Sequence, residues 1–259
     1  MSGASWRAAA FLDIDLTMTS ATFARAPLVT QRWNDRAFYI GMSLAVIATV
    51  FRGFARSYFL RSQYFPTPLA PIAQFHGAVF AAWTVLFLVQ TALVASHRTD
   101  LHRRLGIGGA LLSAVMVIAG TTIAVVSLRY NFAHGNSGAL AFFAIPIGDM
   151  VVFPILVGAA IVQRRHPQAH KRLMLLATIS ILDAAVARWP LAIMTNGPVA
   201  FFAVTDLYIG AGVVFDIVSR RRVHPAYIWG GLMIVGSQIL RLAVWHTALW
   251  LAFAKMLAC

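Results

Sequence analysis

Histidine is the residue type in this chain whose placing best fits chemistry, with eight copies at His76, His97, His102, His134, His166, His170, His224 and His246. An imidazole is both a metal ligand and a proton site that works near neutral pH. His76, His102, His134 and His170 fall one at a time near the starts of four successive long apolar runs. Helices built on those runs would begin with histidine at alternating ends, and bis-histidine haem in a helical bundle uses one imidazole from each of two facing helices. The expected iron ligands are His102 with His170 at one end and His76 with His134 at the other, two haems that would form an electron path. His76 lies about eight residues inside its run while His134 precedes its own, a depth mismatch of ~18 Å at about 1.5 Å per residue. His246 is therefore an alternative partner for His76. Histidines at basic helix ends also serve simply as interfacial residues, and that reading stands beside the haem one.

A different grouping uses His97, His102, His166, His170 and His224, which share one end of the runs, with Asp100 or Asp216 as a carboxylate ligand. A spacing of four along a helix can bring two imidazoles to one face of a metal site. Pro167 interrupts the His166–His170 pair, and the paired histidines of membrane hydroxylase boxes are missing, so this grouping is the weaker one.

Charges inside the apolar runs form a third set: Arg52, Arg56, Arg188 and Arg241 against Asp149, Asp183, Asp206 and Asp216. A charge in hydrocarbon costs at least ~2.5–3.5 kcal/mol on insertion scales, so each is expected to face a partner or a wet cavity. Four structural ion pairs would satisfy the balance. Alternatively, Arg52, Arg56, Asp149, Asp183, Arg188, Asp206 and Arg241 line a ligand pocket for an anionic group such as a haem propionate, a quinone or a carboxylated substrate.

The elements that must position these residues follow from composition. The chain has 259 residues, 60% hydrophobic and only 11% charged, with a mean hydropathy of +0.76. Soluble domains are about half apolar and a quarter charged, so a water-soluble globule is excluded. Seven runs, at about 38–60, 68–96, 105–128, 138–162, 173–194, 199–217 and 227–254, are long enough to cross ~30 Å of hydrocarbon. They lack the alternation of barrel strands and must satisfy their own backbone groups, which requires helices. The expected fold is all-α, a polytopic bundle of seven transmembrane helices over 38–259, preceded by a cytoplasmic tail over 1–37.

The net charge of +13 comes from 21 Lys and Arg against eight Asp and no Glu. The charges inside the runs cancel, so the excess lies in the tail and joints. Fourteen of the cations fall on one side, leaving Arg61, Arg129 and Lys255 opposite. The positive-inside rule then puts the N-terminus in and the C-terminus out, and nucleic acid is not needed to explain the charge. In the tail, Phe11, Ile14, Leu16 and Met18 would make at most a weak interfacial turn, with no signal-peptide core. Cys259 is the single cysteine, so neither a disulfide framework nor a cysteine-based zinc site is expected.

The strings "FHGAVFAAW", "LHRRLG" and "AHKRLM" around His76, His102 and His170, together with His134, resemble the cytochrome b-561 family over about residues 70–195. That resemblance implies a membrane electron carrier with two b-type haems on four core helices, oxidoreductase activity and a quinone or other small molecule as partner. A seventh helix lies outside that family's plan. The strings "FRGFARSYFL" and "HKRLMLLATISILDAAVARWP" look more like uncharacterised bacterial multi-pass proteins, a resemblance that implies a bacterial inner (plasma) membrane and no particular activity. Besides electron transfer, an anion transporter or binding protein and a non-catalytic assembly subunit in the lipid bilayer remain open, and the oligomeric state is not encoded in any motif.

Overall fold

The computed structural model describes the backbone of residues 28–259 and the side chains from residue 35 onward; Phe11, Ile14, Leu16 and Met18 lie outside the described residues. Every regular element among the described residues is helical. In chain order these are α1 (Leu28–Phe54), α2 (Pro71–Ala95), α3 (Thr99–Ala133), α4 (Ala144–Val162), α5 (Pro167–Ile179), α6 (Asp183–Val186), α7 (Pro198–Arg220), α8 (Pro225–Val244) and α9 (Ala248–Ala258). A π-helical turn, Ala55–Phe59, extends α1, and short turns flank α4 at Gly138–Phe142 and Gln163–Arg165.

Six helices are long and apolar enough to cross a membrane: Asp35–Phe59, Pro71–Ala95, Thr99–Ala133, Gly138–Arg165, Pro198–Arg220 and Pro225–Val244. The Gly138–Arg165 span, which contains α4, is the central one, since 61% of its most apolar window is buried against 22–33% for the other five. Leu, Ile, Val and Phe side chains that remain exposed on the outer faces, such as Ile107, Leu111, Ile118, Leu207 and Leu249, fit a lipid-facing surface.

The run expected as a single crossing over 173–194 is not one helix. α5 stops at Ile179, the chain bends through Ser180–Leu182, and α6 adds one turn before a 3-10 turn at Ala192–Asn196. Local chemistry accounts for the break. Thr178 and Ser180 hydroxyls back-bond to the carbonyls of Met174 and Ala177, Asp183 takes the Ala184 N–H, and Pro190 has no N–H to continue a helix. The apolar content of this segment is spent inside the protein, where Leu175, Leu176, Ala177, Ile179 and Val186 are fully buried. The run expected over 227–254 divides as well. α8 ends at Val244, and Thr247 restarts the chain by accepting the Trp250 N–H at 3.3 Å.

Two close approaches fix the packing around these breaks. A Cβ on Gly53 of α1 would stand 2.2 Å from the Ala185 carbonyl oxygen, so α1 meets α6 backbone to backbone. On α2, the Trp83 indole donates to Thr178 Oγ1 at 3.2 Å and packs edge-on against Phe153, its ring centroid 5.1 Å away, which ties α2 to α5 and α4.

Candidate functional site

His102 and His170 are brought face to face. Pro167 opens α5 and puts His170 in its first turn, while the three-residue link Ser96–Arg98 turns α2 back into α3 and puts His102 in the first turn there. That link is tight, with His97 in the left-handed region (φ 62°) accepting from Arg36 Nη2 at 2.9 Å. The His102 and His170 ring centroids are 6.2 Å apart and their planes are inclined at 84°. Two imidazoles sharing one metal through nitrogens at about 2 Å have centroids about 6 Å apart. His170 Nδ1 is engaged with the Ala160 carbonyl at 2.8 Å, a bond that makes Nδ1 the donor and leaves the Nε2 lone pair free. His102 Nδ1 is buried without a well-formed hydrogen bond.

The other expected histidine ligands are not brought together. His76 packs on Phe80 with ring centroids 4.2 Å apart and lies close enough to Arg188 for their charges to interact. His134 is exposed at the end of α3, donating from Nδ1 to the Tyr130 carbonyl at 2.7 Å. The short α2–α3 link fixes the register, placing His76 level with about residue 118, so His134 lies ~24 Å further along α3 at about 1.5 Å per residue. His246 is exposed between α8 and α9, its ring centroid 4.7 Å from that of Trp245 with the planes tilted by 57°. Of the wider histidine set, His224 caps α8 by accepting the Ala226 N–H at 3.1 Å. Among the described residues, no three His, Cys or Asp side chains form a metal-binding group.

The charges inside the apolar runs do not form four matching pairs. Arg241 alone takes up two of the aspartates: its Nη1 is 2.5 Å from Asp149 Oδ1 and 3.8 Å from Asp183 Oδ2, and it donates to the Ile145 carbonyl at 3.0 Å. Its stem lies where a Cβ on Gly148 would be, 2.2 Å from Arg241 Cδ. Asp206 instead accepts from Gln238 Nε2 at 3.0 Å. Among the described residues no carboxylate stands within 4.0 Å of Arg52, Arg56 or Arg188. Their guanidinium carbons sit 5.8 Å from the Trp189 ring, 4.9 Å from Tyr64 and 4.7 Å from Phe54, respectively.

Asp216 belongs to a network that the sequence reading missed. Arg172 and Asp216 are fully buried and doubly bonded, Nε to Oδ2 at 2.9 Å and Nη2 to Oδ1, while Arg172 Nη1 donates to the Gln168 carbonyl and Oε1. The His224 N–H completes Asp216 at 3.0 Å. Asp35 Oδ2 accepts from both Lys171 and Arg220 at 2.6 Å, joining α1, α5 and α7. Burial, then the charges of Arg172 and its basic neighbours, hold the His224 imidazole below its usual pKa despite the opposing pull of Asp216. A cue was available: Asp216 stands alone among cations with Arg220 at i+4, an ion-pair spacing on a helix.

No protein-family model, curated protein or solved structure matches this chain.

Proposed function

We propose that this protein is a multi-pass membrane electron carrier that holds one b-type haem between His102 and His170. The observation that carries the reading is the 6.2 Å separation of their ring centroids, together with the Nδ1 contact that frees His170 Nε2. The facing imidazoles suit iron, and a haem held there would exchange a single electron between ferric and ferrous states. Lys171 is committed to Asp35 and Arg172 to Asp216, so the cations left beside the pair are Arg103 and Arg104, which have no carboxylate within 4.0 Å among the described residues. These two are the candidates to meet the propionates. His76, His134 and His246 take no part in this single-haem reading.

The proposed setting is a bacterial inner membrane, with the N-terminus in and the C-terminus out, as the one-sided distribution of cations in the sequence supports. In that topology the broken segment from α5 through Asn196 completes a seventh crossing between the six long helices. A reduced-minus-oxidised optical spectrum of the chain purified from cells supplied with haem is expected to show a b-type band. Its absence rejects the proposal.

A second reading is favoured by a separate observation, the lack of carboxylate partners at Arg52, Arg56 and Arg188. These guanidiniums would bind an anionic small molecule, such as a carboxylate or a quinone in its reduced, ionised form. That reading predicts thermal stabilisation by the anion that disappears in Arg188→Ala while the unliganded variant stays folded.

A further inference from the structure

Asp149 on α4 and Asp183 at the start of α6 converge on the single guanidinium of Arg241. All three are buried, with 5%, 2% and 5% of their surfaces exposed. Arg241 is committed to Asp149 at 2.5 Å and reaches Asp183 only at 3.8 Å. Asp183 Oδ1 takes the Ala184 N–H at 2.6 Å, but Oδ2 is buried and receives no N–H or O–H donor. Both carboxyl groups therefore stand within 4.0 Å of the same nitrogen, Arg241 Nη1.

Of the surrounding charges, Arg188 lies near enough to Asp183 for the two to interact, but beyond ion-pair distance, with its Nη1 on the Ala184 carbonyl and its guanidinium over Phe54. From α1, Arg52 lies over Trp189; from α2, His76 lies beside Arg188; from α7, Asp206 is held by Gln238. Among the described residues no nitrogen of Lys, His or a second Arg comes within 4.0 Å of either Asp149 or Asp183. Two ionised carboxylates crowded on one guanidinium nitrogen, with no second cation within ion-pair distance, would set like charges against each other and leave a buried oxygen unsatisfied, which is among the costliest arrangements a core can hold. A proton between them removes the like-charge repulsion and supplies the missing donor to Oδ2.

We propose that Asp149 and Asp183 share one proton at neutral pH, with Arg241 as the counter-ion, forming a proton-binding site in the core of the bundle. The site is separate from His102 and His170: His170 lies in the first turn of α5, nine residues or ~14 Å at about 1.5 Å per residue from its end at Ile179, and Asp183 follows the bend beyond that end. It stands whether or not haem is bound.

Infrared spectroscopy of the full chain in detergent at neutral pH tests this. The wild type is expected to show a deuterium-sensitive carboxylic-acid C=O band that is lost in both Asp183→Asn and Asp149→Asn, because each substitution leaves one carboxylate facing Arg241. No such band in the wild type overturns the proposal. A band that survives both substitutions belongs to another carboxyl, with Asp206 the first suspect, and overturns it too. Loss in only one variant assigns the proton to that carboxyl alone and overturns sharing. If Asp149→Asn does not fold, Asp149→Glu takes its place: a band shifted in Asp149→Glu and lost in Asp183→Asn supports the shared site, and a band unmoved in Asp149→Glu or retained in Asp183→Asn rejects it.

Discussion

At the scale of single residues, the two histidines and the buried charges obey different physics. His102 and His170 meet ring to ring, with His170 bonded through Nδ1 to the Ala160 carbonyl, whereas Arg172 and Asp216 are consumed by each other. Removing one member of a fully buried ion pair leaves an uncompensated charge, so Arg172→Ala is expected to destabilise the protein by about 3–5 kcal/mol, read as a fall in thermal midpoint in detergent. His224 makes a milder prediction. Its neutral ring accepts the Ala226 N–H at the start of α8, and burial and neighbouring arginines keep it from protonating. Because its folded pKa lies below the unfolded one, its contribution is complete above the ordinary imidazole range and is lost as pH falls through the lower, folded value. His224→Asn, which keeps a capping acceptor, is expected to remove that part of the acid-side loss, while His224→Ala costs about 0.5–2 kcal/mol at neutral pH. A pH series of thermal unfolding curves measures both. The ordering of the histidines was legible in the sequence, since each of four lay near the start of a run. The pairing of Arg172 was not, because a cation beside a basic joint looks like an interfacial charge until Asp216 is placed against it.

At the scale of elements, α5 and α6 carry most of what the sequence could not convey. Hydropathy counts apolar side chains without distinguishing lipid from protein as their surroundings, so the fully buried Leu175, Leu176 and Ile179 read as part of a crossing helix. The hydroxyls of Thr178 and Ser180, Asp183 and Pro190 each favour a break, but none alone forces one. The joint between α2 and α5 can be tested through Trp83 and Thr178. Thr178→Val leaves the buried Trp83 N–H without its acceptor and is expected to cost about 1–3 kcal/mol. The double variant with Trp83→Phe should cost less than the sum of the two single changes, a coupling that a double-mutant cycle of unfolding free energies detects.

At the scale of the whole molecule, the six long helices were readable from the apolar runs, but α1 starts early, at Leu28, α3 extends past its run at both ends, from Thr99 to Ala133, and α8 stops at Val244, ten residues short of its run. The length of α3 is why His134 ends up exposed and distant from His76. The orientation is tested by Cys259, the single cysteine, which is exposed at the end of α9. With the C-terminus outside, a membrane-impermeant thiol reagent is expected to label it in spheroplasts without permeabilisation; labelling only after lysis reverses the orientation. The central claim, one haem between His102 and His170, is tested most directly by the haem content of the purified chain. One b-type haem per chain, abolished in both His102→Ala and His170→Ala and retained in His134→Ala, is the predicted result; no haem, or a content unchanged by loss of His102 or His170, contradicts it.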